Sequence, residues 1–258
     1  MKISIITVVK NGMPFLRDAI KSFELQKYIN KELIIVYTKS NDGTKEFLDK
    51  ISNNKKIIIE DKTNNRYNAI NLGIKKSTGK IIGLLHADDI FFNNKILSNI
   101  NKHIIKKKCD IVYGGILFSD RNNLKKIKRI WRPSKFNRNK IILGSVPPHV
   151  GMFMKKSVFN NIGYYSKKYT ISSDYDFILR MVLSNKFKIE STNTFHNIMR
   201  IGGDSTSLKK IFLKIKEDYL IVKKHGLSIF TLLLKILSKI IQITKRKNIS
   251  NNYINKFY

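Results

Sequence analysis

The sequence predicts an α/β fold: a mainly parallel sheet flanked by helices, followed by basic helices. Three observations carry this. Strand-like apolar runs alternate with helix-like stretches four times before residue 111. The first run, Ile3 to Val9, is nearly continuous in its apolar character, as expected of a strand covered on both faces. The connections are rich in Asn, Asp, Gly, Ser and Pro, which end one element and admit the next.

The elements follow in order. After the first strand, Asn11-Gly12-Met13-Pro14 is a loop whose proline suits a helix start. Phe15, Ala19, Ile20, Phe23 and Leu25 then place apolar side chains mostly on one side of a helix. Leu33 to Tyr37 is the second strand, Ser40-Asn41-Asp42-Gly43-Thr44 a turn, Thr44 to Ile51 a helix and Lys56 to Glu60 the third strand. A helix over Tyr67 to Lys76 ends at Ser77-Thr78-Gly79, and Lys80 to Leu85 forms the fourth strand. Ile96 to Lys107 is helical, and a fifth strand starts at Ile111. Lys125 to Arg132 is a candidate basic strand, and Pro147-Pro148-His149 breaks the chain before Val150 to Met154. Ser172-Ser173-Asp174-Tyr175-Asp176 starts a helix through Leu183, and 187–189 and 194–200 are candidate strands.

The last stretch differs in character. Residues 208–258 hold twelve Lys or Arg against Glu217 and Asp218. Ile229, Phe230, Leu233, Ile236, Leu237, Ile240 and Ile243 recur at helical spacing, with Lys235, Lys239, Gln242 and Arg246 on the other side. A basic amphipathic helix of this kind suits a membrane interface or packs on the domain before it. The expected division is therefore 1–205 and 206–258.

With 258 residues the chain can bury a sizeable core. Cys109 is the single cysteine, which excludes a disulfide framework and a Cys-based zinc site and suits a reducing cytoplasm. The N-terminal residues read as a strand, not a secretory signal, and no run reaches the ~20 apolar residues of a spanning helix. The formal charge of +32 points to an anionic partner, or to a general Lys-rich surface.

Against that charge, the adjacent acids Asp88-Asp89 at the exit of the fourth strand stand out, since only 18 residues are acidic. Ligands of open α/β sheets sit beyond the carboxyl ends of the strands. Two carboxylates there can hold Mg²⁺ or Mn²⁺, and such a cation can neutralise a departing diphosphate. The other reading of the pair is a cap on the following helix.

The ordered set of motifs resembles a family two glycosyltransferase of the GT-A fold. It comprises Ser4 to Gly12, Glu32 to Val36, Ser40-Asn41-Asp42-Gly43-Thr44, Tyr67-Asn68-Ala69-Ile70-Asn71-Leu72-Gly73 and Gly79 to Asp89. His149, Gly163 and Ser173-Asp174-Tyr175-Asp176-Phe177 continue it. The resemblance implies an inverting transfer of sugar from a nucleoside-diphosphate donor to a hydroxyl acceptor, in bacterial surface-glycan synthesis (O-antigen, capsule or exopolysaccharide). It places Asp89 on the divalent cation, with Asp88 nearer ribose or sugar or sharing the metal. Asp174 becomes the general base that takes the acceptor proton, although an N-cap is its competing role. Val8, Val9 and Asn11 frame the base through backbone contacts, and Tyr37, Asn68 and Asn71 complete the donor pocket. His149 falls where relatives have a His near acceptor or diphosphate, and Arg200 to Ser205 resembles a closing turn. Two positions depart from the family: Tyr37 and Asn68 stand where carboxylates are common. They leave open a catalytically impaired relative that binds sugar nucleotide. A nucleic-acid-binding protein is the third reading, but the chain shows no aromatic-basic interleaving. The implied partners are a nucleotide-sugar, a glycan or lipid-linked acceptor and an anionic membrane surface met by 208–247, with no nucleic acid. The implied place is the cytoplasm, at the inner face of the membrane.

Overall fold

A computed structural model describes residues 1–51, 56–202 and 208–244. The first half alternates as the sequence predicts: β1 (Ile3–Val9), α1 (Leu16–Glu24), β2 (Lys31–Tyr37), α2 (Thr44–Ile51), β3 (Lys56–Glu60), α3 (Arg66–Lys76) and β4 (Ile81–Leu84). These four strands pair in parallel in the order β3-β2-β1-β4.

Beyond β4 the sheet becomes mixed. β5 (Ile90–Phe91), α4 (Ile96–Lys107) and β6 (Ile111–Ser119) lead to the hairpin strand β7 (Ile127–Trp131). After α5 (Arg138–Ile142), a 3-10 turn at His149–Gly151 enters β8 (Met152–Lys155). β8 runs antiparallel between β4 and β6. α6 (Lys156–Ile162) and α7 (Ser173–Leu183) precede β9 (Ile189–Arg200), which takes up the candidate strand 194–200 but only the last residue of 187–189, and lies parallel to β6.

The sheet has one apolar layer on each face. Ile6, Ile34, Val36 and Ile82 meet α3, α6 and α7 on one side. Ile5, Leu33 and Ile35 meet α1, α2 and α4 on the other. Gly73 fits this packing: a Cβ there would sit 2.6 Å from Ile6, so only glycine lets α3 lie this close to β1. The close approach sets the first turn of α3 at the strand ends. Glu32, one of the few buried acids, takes hydrogen bonds from Ser4 Oγ and from the Thr78 amide and hydroxyl. Burial opposes its charge, but Lys2 and these donors prevail and bring its pKa to about 2.

Two further helices, α8 (Leu208–Lys224) and α9 (Ile229–Thr244), form a hairpin that packs on α7. Ile221, Val222 and Leu232 bury against Tyr169, Tyr175 and Leu179. The helical spacing predicted for the tail is present, but the lysine face is turned differently from the expectation. Lys235 points inward, 2.8 Å from Asp218 and over the ring of Tyr175, and is only 15 % exposed. Phe230 is 67 % exposed and Leu237 53 %. Burial outweighs the attraction of the Asp218 carboxylate and brings the Lys235 pKa down to about 7. The expected boundary at 205/206 and the tail beyond Thr244 lie outside the described residues.

Candidate active site

The acidic pair leaves β4 through Leu85, His86 and Ala87. The carboxylate of Asp89 is almost wholly buried: Oδ1 accepts the Arg200 amide at 3.3 Å, while Oδ2 has no partner. Burial, and then the neighbouring charge of Asp88, raise its pKa well above the usual carboxylate range. Asp88 is half-buried, with Oδ2 3.6 Å from Arg121. The pair caps no helix, since β5 follows directly and α4 begins only at Ile96.

A divalent cation is implied here, and the residues fit one. An orphaned buried carboxylate oxygen beside a second carboxylate is a site short of positive charge. Among the described residues no group of three or more His, Cys, Asp or Glu converges. Two carboxylates with oxygens of a bound diphosphate match the way Mg²⁺ and Mn²⁺ are commonly held.

Arg200, the first residue of the predicted closing turn, is a clamp. Its guanidinium donates to the carbonyls of Asp88 (2.6 Å) and Arg121 (3.0 Å) and to the carboxylate of Asp18. Phe15 supports both Arg200 and Arg121 through its ring face. Gly203, Asp204 and Ser205 of the predicted closing turn lie outside the described residues.

Asp174 sits in the first turn of α7. His149 Nδ1 donates to its Oδ2 at 2.9 Å, and Tyr67 Oη lies 3.4 Å from its Oδ1. Burial alone would raise its pKa, but the charge and hydrogen bond of His149 outweigh it and hold the carboxyl well below the usual range. The ring of His86 meets His149 edge-on at 5.7 Å, and Arg66 Nη2 donates to His86 Nε2 at 2.9 Å. Burial first, then Arg66, push the His86 pKa well down, so its ring is neutral and accepts. A continuous chain of side chains thus joins the β4 exit to Asp174. Asp176 points away from Asp174, as its spacing predicts, and is fully buried against Arg180, Lys224 and His225.

The turn carrying His149 is itself held. Buried His196 contacts the carbonyl of Gly151 through Nδ1 at 2.7 Å and Thr192 through Nε2 at 2.9 Å. Burial pushes its pKa down to about 4, which keeps the ring neutral at physiological pH.

The predicted donor-binding residues divide into two groups. Val8 packs on the same sheet face as α3, and Asn68 on that helix keeps a buried Oδ1 without partner. Asn11 adopts a left-handed φ of 49° and stitches its loop to the next: its amide donates to Ser40 Oγ, and its Oδ1 accepts the Asn41 amide. The neighbouring Gly12 and Met13 amides bond Thr44 and Asp42, so these loops form a stiff rim. Three expectations are corrected. Val9 has its side chain in the core, and its carbonyl accepts the Thr38 amide. Tyr37 is buried on the opposite sheet face from Asn68, and burial, then Glu60, raise its phenol pKa. Asn71 spends both ends of its amide on the Tyr165 backbone, at 2.8 and 3.0 Å.

Sequence reasoning missed Arg66, Tyr67 and Glu217 as site residues. Glu217, on α8, accepts the amides of Thr170, Ile171 and Ser172 at 2.7, 2.9 and 2.8 Å, directly before Asp174. An acid in a tail with twelve cations was the available signal. Glu217→Ala is expected to lower stability by about 2–4 kcal/mol, since three donors lose a charged acceptor. Denaturant unfolding at neutral pH checks it, and an unchanged midpoint would show that solvent replaces the carboxylate.

The sequence profile described as Glycosyl transferase family 2 matches residues 4–163, more than half of the chain. The chain belongs to that family. Within this family-two chain the match covers Asp88 and Asp89 but ends before Asp174. A glycosyltransferase of Rickettsia prowazekii is 28 % identical over 246 residues, covering 86 % of this chain and 75 % of the relative. A longer one from Rickettsia bellii is 30 % identical over 182 residues, covering 67 % of this chain, which spans only 26 % of that relative's length. Among solved structures, S. aureus TarS 1-349 in complex with UDP-GlcNAc superposes with a TM-score of 0.70 at 15 % identity, over 93 % of this chain and 73 % of that one. The mannosyltransferase PcManGT of Pyrobaculum calidifontis, in complex with GDP-Man and Mn²⁺, gives 0.64 at 11 % identity, over 94 % and 70 %. These likenesses establish the GT-A fold.

Proposed function

We propose that the protein is an inverting glycosyltransferase that moves a sugar from a nucleoside-diphosphate donor to a hydroxyl acceptor. The observation that carries this reading is the chain Arg66–His86–His149–Asp174, which ties a candidate base to the acidic strand exit. Asp88 and Asp89 would hold a divalent cation. Bound there, the cation would stabilise the negative charge of the leaving diphosphate. Asn68 Oδ1 is available to a donor hydroxyl or base N–H. Asp174 takes the acceptor proton. A carboxylate of such low basicity accepts it only after the oxygen has begun to bond the anomeric carbon and become acidic. Attack from the face opposite the leaving group inverts that centre. The UDP-GlcNAc of TarS and the GDP-Man and Mn²⁺ of PcManGT are consistent with donor and cation classes of this kind.

The reading as an impaired relative then rests on Asn68, since Tyr37 belongs to the core. A panel of nucleotide-sugars with Mn²⁺ tests the enzyme: at least one diphosphate is expected to raise the unfolding temperature, by RT ln(1 + [L]/Kd) in free energy. No shift from any donor, with or without metal, argues against it.

The role belongs in bacterial surface-glycan synthesis at the inner membrane face, with a glycan or lipid-linked acceptor. The outward apolar side chains of α8 and α9, with Phe212 at 73 % exposure, support contact with an anionic bilayer, as does the charge of +32. Among the described residues no helix is long and apolar enough to cross a membrane. Phe230→Asp with Leu237→Asp is expected to abolish flotation with phosphatidylglycerol vesicles, and equal flotation would remove these helices from the contact.

A further inference from the structure

A small cleft opens between the end of β7 and the loop that carries His149. Trp131 and Tyr113 form its apolar wall, and Pro147-Pro148 joins it directly to His149. Its cations are Arg132, Lys135 and Lys140, and no acidic residue lines it. None of the three makes an ion pair among the described residues. Like charges gathered without counter-charge repel one another, and a bound anion relieves that repulsion.

Two lysines paired with Asp218 lie nearby. Gly144, next to the lining residue Ser145, is so close to α9 that a Cβ would stand 2.7 Å from Lys235 Cβ. Lys214 lies 3.4 Å from Ser172 Oγ, at the start of the helix bearing Asp174. Against burial, which raises it, both lysines help to hold the Asp174 carboxyl low, after the larger effect of His149. The groups expected to hold the donor, Asp88, Asp89 and Asn68, do not line this cleft, whereas Pro148 precedes His149, the partner of Asp174.

We propose that the cleft lined by Trp131, Arg132, Lys135 and Lys140 binds a phosphate group of the acceptor, and so selects a phosphate-bearing acceptor over a neutral one. Three cationic side chains suit a phosphate monoester or diester. Trp131 and Tyr113 accommodate the apolar or sugar portion next to it. This inference rests on Asp174 serving the acceptor hydroxyl.

Trp131 is the only tryptophan of the chain, so intrinsic tryptophan fluorescence reports on this cleft. The full-length protein is titrated with glycerol 3-phosphate and with dodecyl phosphate, at constant ionic strength, with and without saturating UDP and Mn²⁺. A saturable change that persists with UDP and Mn²⁺ is expected from at least one of them. Tighter binding of glycerol 3-phosphate assigns a soluble phosphate-bearing acceptor, and tighter binding of dodecyl phosphate a lipid-borne one. The variant R132Q/K135Q/K140Q is expected to bind about tenfold more weakly or worse, with the UDP-induced thermal shift unchanged. No saturable change, equal affinity in the variant, or loss of the signal when UDP is added would overturn the proposal. Failure of the donor reading shows separately, as absence of any thermal shift with UDP and Mn²⁺, and the titration without UDP still reports on the cleft.

Discussion

Asp174→Asn is expected to lower kcat by about 10²–10⁴-fold, while donor affinity stays within about twofold. Asn keeps the size of the side chain, and its amide oxygen can still accept from His149 Nδ1 in place of the 2.9 Å carboxylate contact. It cannot take the acceptor proton. The donor-induced thermal shift checks that the pocket survives, and transfer of labelled sugar checks the chemistry. Normal transfer would move the base elsewhere. The pH dependence follows from the same geometry. With His149 holding the carboxyl below the usual range, Asp174 is ionised throughout pH 5–7. A carboxylate with a lowered pKa works above that pKa and is lost only as pH falls through it. Its protonation should therefore cause no loss of activity between pH 7 and 5. An acid limb that follows Asp174 within that window would contradict the His149 contact.

Asp89→Asn is expected to abolish the metal-dependent part of donor binding and to cut turnover about 10²-fold or more. The metal-free protein should show an opposite effect on stability. The carboxyl of Asp89 is buried, one oxygen is unpartnered, and Asp88 adds like charge, so its folded pKa is raised. A raised carboxyl pKa penalises folding once the unfolded chain ionises, above about pH 4, and the penalty grows up to the folded pKa. Asn carries no charge and can still accept the Arg200 amide that Oδ1 receives. At pH 7 without metal, Asp89→Asn is expected to unfold at or above the temperature of the unchanged protein. Added Mn²⁺ should raise the midpoint of the unchanged protein and not of the variant. If both respond equally to Mn²⁺, the cation binds elsewhere. The site then trades stability for function: a carboxylate is kept where folding alone disfavours it.

The same physics explains which parts of the site were legible beforehand. Asp88-Asp89 could be read because it is contiguous, because a strand exit is a local feature and because acids are rare in this chain. Tyr37 was misplaced for a simple reason. It shares a sheet face with Leu33 and Ile35, whereas Ile34 and Val36 take the other, and both faces of β2 are buried. With apolar residues on both sides, the period of two does not say which face meets the ligand. Asn71 lies one turn beyond Tyr67 on α3, yet it serves the Tyr165 backbone, 94 residues away. Nothing local distinguishes a donor-binding amide from one that satisfies a loop.

The tail shows the same limit on a larger scale. Its helical period was plain, but α9 has apolar residues enough for more than one face. The face turned inward carries Lys235, beside Asp218, and Leu232, which reaches the α7 layer. Glu217 then reaches the amides before Asp174 across 45 to 47 residues. A tail that reads as an appendage thus helps to hold the candidate base.

By itself, the amino-acid sequence determined the alternation of strands and helices, the parallel first half of the sheet, the acids at the β4 exit and the family. Those properties depend on local apolar period, turn residues and motif order. Only the tertiary structure decided that His149 faces Asp174, that Arg200 locks the Asp88 backbone and that Glu217 orders the loop before α7. It also decided that three cations, without an ion pair among the described residues, gather beside Trp131. Such contacts join residues distant in the chain, and their distances follow from how the layers pack rather than from any spacing along the sequence.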